Sequence, residues 1–371
     1  MGGTGSYHLR VVVPNDDDGA CWDAFLTNLP GVPYHQSSLW VRVKVGQGWR
    51  SALMTVTRDG AIHGGAQLLY RSIPLAGAIG FVPSGPVLAS NDPALAAAAA
   101  VGLERLARAF NVTYLIVQPP RERADVLTPQ LLRNGYRAAP KIMAPNETTT
   151  RLLDLSQGEA TILAGMRSST RRNVRLAQRR GISVREGGAA DLPALSSLLA
   201  ATSQRRGLSW PQASFFDAAW TTMAPAGMLR MAVAEFDREP VSVFLWLVLG
   251  DTMNCWIGAW SGEHRYRRPN EALDWSGIRW AAGHGLRWYD FQGDTDYARG
   301  FGGLNVTSPG PLEQVPNPLL RRLYPRSLHR MLDTPAVSRL KQVVRAHGWP
   351  GSLKSMAYPV IVSLASGLSA A

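Results

Sequence analysis

The densest set of chemically active side chains in this sequence is a run of arginines. The stretch MRSSTRRNVRLAQRRGISVR contains seven arginines and no acidic residue. On a helix, Arg171, Arg175 and Arg179 recur every four residues and share one face, where like charges cost roughly a few tenths of a kcal/mol per pair. Charge runs on a helix that is merely solvated are usually mixed in sign, so this run favours an anionic partner over a solvated basic face.

A second candidate site follows an aromatic strand. The stretch RWYDFQGDTDYARGFGG is typical of a buried strand that runs into a glycine-rich loop. Asp290 could anchor this loop by accepting backbone N–H bonds, or could face a cleft and hold an amine, and we favour anchoring. The loop ends in glycines that permit positive φ or close approach on either side of one aromatic ring: Gly300, Phe301, Gly302 and Gly303.

Basic residues also precede a predicted helix in the second half. In SGEHRYRRPNEAL, Arg265 and Arg268 come just before the proline that begins the helical pattern. A helix N-terminus with adjacent arginines suits an anion. We therefore expect this segment to bind an anion, with a solvated loop as the alternative.

Several catalytic classes lack their motifs. The only cysteines, Cys21 and Cys255, have no Cys-x-x-Cys or Cys/His spacing, and the seven histidines include no His-Glu-x-x-His pattern. No Gly-x-Ser-x-Gly elbow is present either. The sequence predicts neither a metal site nor a disulfide scaffold, and it does not suggest a serine hydrolase.

Composition sets the broad class of the protein. A chain of 371 residues with 46% hydrophobic residues can form two domains, and a formal charge of +12 indicates attraction to an anion. No secretion signal and no uncharged apolar segment long enough to span a bilayer are apparent, so we expect a cytoplasmic protein with at most peripheral membrane contact. The role of residues 335–371 and the oligomeric state stay open.

The two halves share an order of elements. NDPALAAAAAVGLERLARAFN predicts a helix with Asp92 as N-cap and Pro93 in its first turn, followed by the buried strand VTYLIVQP. PNEALDWSGIRWAAGHG predicts the matching helix, followed by LRWYDFQ. The same order at an offset of roughly 175 residues indicates a duplicated α/β unit.

Five segments, in order over roughly residues 20–330, resemble the Fem family of aminoacyl-tRNA-dependent peptidyltransferases. They are YHQSSLWVRVK, GFVPSGPV, TTTRLLDLSQGEATILAGMRSSTRRNVRLAQRRGISVREG, PNEALDWSGIRWAAGHGLRWYDFQG and the FGG that ends the loop.

The resemblance implies an α/β (α+β) protein of two tandem GNAT-like domains, with mixed sheets flanked by helices. Residues 1–150 form an acceptor-binding domain completed by about 311–371, which packs back on it, and residues 151–310 form the aminoacyl-tRNA side. It further implies an aminoacyltransferase that joins the amino acid on tRNA to an amine. The acceptor is a peptidoglycan precursor or a peptide-type secondary metabolite, nucleotide- or lipid-linked, and no cofactor is needed besides the aminoacyl-tRNA co-substrate.

Residue roles carry over by position. Lys44 stands at the lysine of a Trp-x-x-x-Lys stretch and Arg205 at the arginine of TSQRRGL, positions that hold acceptor phosphates in relatives, with Arg206 as the alternative. The resemblance also gives the basic residues above a tRNA-binding role: Arg171, Arg175, Arg179, Arg265 and Arg268.

The catalytic loop departs from the family pattern. Where relatives have a pattern like Phe-Lys-x-x-Phe-Gly-Gly, this chain has YARGFGG, with Tyr297 for the phenylalanine and Ala298 for the lysine. Either Arg299 supplies the missing charge or this member works differently. We name Asp290, Tyr297 and Arg299 as candidate catalytic residues.

Two other functions stay open. A GNAT fold could instead use acyl-CoA for N-acyl transfer, although RYRRPN lacks the glycines that let a backbone approach pyrophosphate. The loss of lysine at position 298 would also suit a degenerate protein that binds tRNA or a precursor without turnover.

Overall fold

A computed structural model describes residues 6–73, 77–139, 148–206 and 210–315. In the first part of the chain the elements are β1 (His8–Val12), α1 (Asp16–Thr27), α2 (Ser38–Gly46), β2 (Arg50–Arg58), β3 (Ala61–Ile73), β4 (Gly77–Val82), β5 (Val87–Leu88), α3 (Pro93–Ala109), β6 (Val112–Val117), α4 (Ala124–Arg133) and β7 (Arg137–Ala138). They continue with β8 (Thr149–Asp154), α5 (Glu159–Gly165), α6 (Ser168–Arg179), β9 (Ser183–Glu186), α7 (Leu192–Arg206), α8 (Ala213–Met223), β10 (Leu229–Phe236), β11 (Glu239–Leu249), β12 (Thr252–Trp260), α9 (Pro269–Gly283), β13 (Trp288–Asp290), α10 (Asp296–Gly300), β14 (Leu304–Thr307) and β15 (Leu312–Gln314).

The chain divides into two compact units. Over the described residues, the first contains residues up to 15, then Lys44 onward to 139, and 309–315; the second contains Asp16–Val43 and 148–308. The predicted division at residue 150 differs from this one at Asp16–Val43, which group with the second unit. The predicted segment 335–371 lies outside the described residues.

The first unit is built on a mixed sheet. Its strand order is β1-β2-β3-β4-β6-β15-β7, with β5 beside β3, and the pairing is antiparallel except between β4 and β6. β15 pairs with both β6 and β7, so residues 312–314 return to the first sheet after the chain has passed through the second unit. This return was predicted for the segment that follows the second domain.

Helix α3 makes the crossover between the parallel strands β4 and β6. Asp92 accepts a hydrogen bond from the Ala94 amide at 2.8 Å and Pro93 occupies the first turn, as the sequence predicted. The small apolar face of the helix packs on the sheet, where Leu95, Leu103 and Leu106 are fully buried. Burial of each such leucine stabilises the fold by about 1.5–3 kcal/mol.

The second unit repeats this construction. Its strand order is β14-β8-β13-β12-β11-β10-β9, and only β12 and β13 pair in parallel among the described strands. Helix α9 makes the crossover between them and begins at Pro269, just as α3 begins at Pro93. Two mixed sheets flanked by helices confirm the predicted fold class.

Close packing of α9 depends on one glycine. A Cβ atom at Gly277 would lie 2.8 Å from the indole of Trp246 on β11, too close for any side chain. Leu273, Ile278 and Ala281 on the same helix are fully buried. The helix therefore lies directly against the sheet, and side chains near Gly277 reach the sheet interior.

Candidate functional site

The second unit contains a cavity of about 670 Å³ beside the N-terminus of α9. Side chains from α7, β12, α9 and α10 line it. The candidate residues that it brings together are Arg205, Arg265, Arg268, Tyr297 and Ala298, and it adds Trp210, Cys255, Glu271 and Asp274.

Asp274 is a buried carboxyl group at this cavity. It lies one turn before Gly277 on α9 and is 1% exposed. Its Oδ1 accepts a hydrogen bond from the Tyr289 hydroxyl and its Oδ2 one from the Tyr297 hydroxyl, both at 2.6 Å. The indole of Trp246 donates to the Tyr289 oxygen at 2.8 Å. We call these four residues the Asp274 network.

Burial dominates the electrostatics of this network. It raises the pKa of Asp274 to about 7, against the opposing effect of the two tyrosine hydrogen bonds. The pKa of Tyr297 is raised well above 10 by burial of its hydroxyl and by the nearby carboxyl. Near neutral pH the carboxyl group can therefore gain or lose a proton while the phenol remains a hydrogen-bond donor.

Short helix α10 presents Tyr297. Thr295 caps it by accepting a hydrogen bond from the Ala298 amide at 3.2 Å. The residue Tyr297 is 41% exposed even though its hydroxyl reaches inward to Asp274. This side chain thus connects the accessible side of the cavity with the buried carboxyl group.

Cationic side chains lie on the other side of the cavity. Arg205 stacks 4.6 Å from the ring of Trp260 and donates to its carbonyl oxygen at 3.1 Å. Arg268 precedes α9 in a left-handed conformation, with φ of 64°, and lies 3.6 Å from Glu271. The Nε atom of Arg268 and the indole nitrogen of Trp210 are buried without a hydrogen-bond partner among the described residues. Such donors suit the oxygens of an anionic ligand.

Two predicted catalytic residues lie outside this cavity. Asp290 accepts hydrogen bonds from the Thr150 hydroxyl at 2.5 Å and from the Gln292 amide at 2.7 Å, which are the contacts of an anchoring carboxylate. Arg299 donates to Asp294 at 2.9 Å. Arg151 and Asn305 also donate to Asp294. We call Asp294 with these three partners the Asp294 cluster.

The loop glycines fit the backbone to its neighbours. A Cβ atom at Gly300 would lie 2.4 Å from the Thr170 hydroxyl oxygen, and one at Gly303 would lie 2.5 Å from the Leu152 carbonyl oxygen. Gly302 and Gly303 have φ of 89° and 77°. Phe301, between Gly300 and Gly302, is fully buried. The Gly-Phe-Gly-Gly stretch therefore holds the loop against β8 and α6.

Comparison with known proteins tests the predicted resemblance. The FemAB family profile matches residues 20–130, and the profile of the acetyltransferase (GNAT) domain matches residues 164–299. The predicted resemblance to the Fem family is confirmed.

Individual relatives of this chain are distant in sequence. It is 23% identical over 226 residues to the lipid II:glycine glycyltransferase of Staphylococcus aureus (strain COL), an alignment that covers 58% of this chain and 53% of the relative. The enzyme of the same name from Staphylococcus saprophyticus is 26% identical over 228 residues, covering 59% and 55%. The chain spans about half the length of these relatives.

A solved structure, the crystal structure of FemX, shares the fold. It superposes with a TM-score of 0.75 at 17% identity, covering 85% of this chain and 99% of FemX. Within residues 6–73, 77–139, 148–206 and 210–315, no helix is long and apolar enough to cross a membrane. Over the same residues, no cluster of His, Cys, Asp and Glu is placed to hold a metal ion.

The arginines of helix α6 differ in exposure. Arg171 is partly buried and donates to the carbonyl oxygens of Leu163 and Ala164, at the end of α5. Arg175 and Arg179 are exposed. Arg175 also lines a second, wider cavity of about 1500 Å³, which residues of α9 and the loop after it border as well: Trp275, Arg279, Trp280 and Arg287.

The first unit places Lys44 beside another cation that the sequence analysis missed. Arg71 on β3 is 9% exposed, stacks 4.4 Å from the ring of Trp49 and donates to the Gln47 carbonyl oxygen at 2.5 Å. Its Nε and Nη1 atoms have no hydrogen-bond partner among the described residues. Burial and, secondarily, the nearby charge of Arg71 together lower the pKa of Lys44 to about 8. An anion bound here would relieve both effects.

Arg206 ends α7 in the second unit. Its assignment as the alternative acceptor residue stays a prediction, as do the roles of Lys44 and Arg205. The residue that sequence reasoning missed in the cavity is Asp274. The available signal was a carboxylate in the apolar stretch ALDWSGI, three residues before the glycine that brings α9 onto the sheet.

Proposed function

We propose that this protein forms an amide bond between the amino acid carried by an aminoacyl-tRNA and an amine of a peptidoglycan precursor or a peptide-type secondary metabolite. The match to the FemAB family profile supports a transferase, and the two relatives are named as lipid II:glycine glycyltransferases. The reaction would take place in the cytoplasm and would use no cofactor besides the aminoacyl-tRNA.

One observation carries this proposal. In the 670 Å³ cavity, cationic and unpartnered donors lie beside a carboxyl–phenol pair that can handle a proton near neutral pH. Arg205, Arg265 and Arg268 suit an anionic substrate group. The carboxyl–phenol pair suits the proton transfers of aminolysis.

The reaction itself is balanced without a redox or metal partner. The amine nitrogen attacks the ester carbonyl carbon, and the new C–N bond replaces the C–O bond to the ribose. The products are an amide and the free ribose hydroxyl group. The protein's task is to position the amine and the ester and to stabilise charge in the tetrahedral intermediate.

An assay with two donors tests the proposal. Purified protein is incubated with charged tRNAs, with uncharged tRNA as control, and separately with acyl-CoAs, in the presence of amine-bearing cell-wall precursors and metabolites. Products are identified by mass. A gain of one amino-acid residue that requires charged tRNA is expected. A gain only with acyl-CoA would show N-acyl transfer, and binding without any gain would show a degenerate binding protein.

The arginines of α6 are proposed to contact tRNA phosphates. Changing Arg175 and Arg179 together to Gln should weaken tRNA binding and reduce its salt dependence by a slope of about 2, as loss of two phosphate contacts requires. Arg171 is left unchanged because it stabilises the end of α5. The matched control is Arg105→Gln with Arg108→Gln, two exposed arginines on α3. Equal salt slopes for both doubles would rule out this contact.

The Lys44–Arg71 pair is proposed to bind an acceptor phosphate. Lys44→Ala or Arg71→Ala should raise the KM for the acceptor and leave tRNA affinity unchanged. Arg50→Ala, an exposed arginine on β2, is the matched control. An equal loss of acceptor and tRNA binding would contradict a dedicated acceptor site.

A further inference from the structure

Inside the 670 Å³ cavity, few groups can move a proton. Arg205, Arg265 and Arg268 carry guanidinium groups, which donate hydrogen bonds and accept none. Glu271 accepts a hydrogen bond from Asn173 at 3.0 Å and also lies near Arg268. Burial raises the pKa of the Cys255 thiol well above 9, so that group stays protonated.

The residues that the family pattern points to supply no proton carrier either. Ala298, which aligns with the family lysine, lines the cavity without a charge. Arg299 binds Asp294 through both Nε and Nη2, at 3.1 and 2.9 Å. Proton transfer in this cavity therefore falls to Asp274 and the hydroxyl that connects it with the accessible side.

We propose that Tyr297 and Asp274 form a proton relay for amide formation, in which the Tyr297 hydroxyl contacts the reacting atoms and Asp274 acts through it. This inference rests on the proposed function. Its geometric basis is the 2.6 Å hydrogen bond from Tyr297 to Asp274 and the position of both residues in the cavity lining.

Both residues of the relay return to their starting protonation states within one turnover. As the amine nitrogen bonds to the ester carbon, Tyr297 takes the proton that the nitrogen loses and passes its own proton to the Asp274 carboxylate. As the C–O bond breaks, the transfer reverses, and the ribose oxygen leaves with that proton as a hydroxyl group. Asp274 ends as a carboxylate and Tyr297 as a phenol.

Tyr289 gives this mechanism an internal comparison. Its hydroxyl lies as close to Asp274 as that of Tyr297, but it is fully buried and does not line the cavity. Tyr289 is therefore a positioning residue. Because its hydrogen bond lowers the pKa of Asp274, removing the hydroxyl should raise that pKa.

Among the described residues, four titratable groups influence Asp274. Tyr289 faces it from β13, Tyr297 from α10, Cys255 from β12 and Glu271 from its own helix. Both tyrosines and the cysteine remain protonated well above neutral pH. A rate limb near pH 7 would therefore report Asp274.

The test is the pH–rate profile of transfer from aminoacyl-tRNA for wild type, Asp274→Asn, Tyr297→Phe and Tyr289→Phe. Wild type should show a rate that rises with pH through an apparent pKa near 7. Asp274→Asn should lose that limb and about 10²–10³ in kcat, with KM for both substrates nearly unchanged. Tyr297→Phe should lose a similar factor, whereas Tyr289→Phe should shift the limb to higher pH, so that its rate falls near pH 7 and approaches the wild-type kcat only above the shifted pKa.

Controls separate the relay from folding and from the proposed function. Asp217→Asn, an exposed acid on α8, should behave as wild type, and circular dichroism should show that every variant is folded. The relay would be overturned, while the proposed function stood, by either of two outcomes. Asp274→Asn could keep the wild-type rate and pH profile, or Tyr297→Phe and Tyr289→Phe could have equal effects. No transfer by wild type from any charged tRNA would overturn the proposed function and the relay with it.

Discussion

Two aspartates of the second unit lie in opposite environments. Asp274 is buried among phenols and an indole, and burial raises its pKa to about 7. Asp294 is also little exposed, at 6%, but arginines surround it, and hydrogen bonds from Arg299 and then Arg151 lower its pKa to about 2. At Asp274 the effect of burial exceeds that of its hydrogen-bond partners, whereas at Asp294 the arginine partners exceed the effect of burial. The first can exchange a proton at neutral pH, and the second is a fixed anion that organises a loop.

The two aspartates should change the free energy of unfolding in opposite directions as pH rises. Folded Asp274 keeps its proton up to about pH 7, whereas the unfolded chain releases it near the ordinary pKa of 3.8. The folded state then binds more protons between these values, so the free energy of unfolding should fall as pH rises, by on the order of 4 kcal/mol. Urea unfolding of wild type and Asp274→Asn across this range measures the difference.

For Asp294 the sign reverses. Its folded pKa lies below the unfolded value, so its stabilisation is present above about pH 4 and is lost as pH falls toward about 2. Asp294→Asn should therefore differ from wild type most at neutral pH and least in acid. If both Asn variants changed the pH profile in the same direction, the contrast between the two carboxyl groups would be wrong.

Removing one phenol should also destabilise the Asp274 network. Tyr289→Phe leaves Asp274 Oδ1 and the Trp246 indole without their partner, which should cost about 1–3 kcal/mol in the free energy of unfolding. Tyr136→Phe is the matched control, because the buried Tyr136 hydroxyl has no partner among the described residues. Equal costs for the two variants in denaturant titrations would show that the network hydrogen bonds add nothing.

In the loop beside the Asp294 cluster, one added methyl group should destabilise the protein. Gly300→Ala should destabilise the protein by about 1–2 kcal/mol because the new Cβ meets the Thr170 hydroxyl. Thr170→Ala should relieve that clash, so the double variant should be more stable than the sum of the two single costs. Gly293→Ala, where a Cβ meets nothing within 4 Å, is the control. If the stability costs of the two single changes simply added in the double variant, as measured by thermal unfolding, this packing contact would be wrong.

The smallest effect is expected at Arg299. Its side chain is 48% exposed and water screens its ion pair, so Arg299→Gln should lower the Tm only slightly, and less in high salt. Transfer should slow far less than in Asp274→Asn. A loss of kcat as large as that of Asp274→Asn would instead show that Arg299 substitutes for the family lysine.

Periodicity and helix-start signals predicted the fold well. Pro93 and Pro269 begin corresponding crossover helices, and the strand after each pairs in parallel, so local signals were enough to recognise the duplication. The grouping of Asp16–Val43 with the second unit could not be predicted, because it depends on contacts far apart in sequence. One example is the 3.0 Å hydrogen bond from the Gly31 amide to Asp251.

The site was predicted only in part. The family resemblance identified Arg205 and Tyr297, and the helix-start pattern identified Arg268, and the fold brings all three to one cavity. Asp274 and Arg71 were missed because each lies inside an apolar element, where a single charged residue carries no periodic signal. The importance of Asp274 and Arg71 can be recognised only when the structure shows which side chains are buried and which polar atoms lack a partner.

Arg151 has a consequence for ligand binding. It bonds both to Asp294 near the start of the loop and to the Gly303 carbonyl oxygen at its end, at 3.0 Å. The loop that carries Tyr297 is thus closed into a ring by one guanidinium group. The entropy cost of ordering it is met during folding, so an incoming substrate should encounter a preorganised surface and bind with little additional loss of chain freedom.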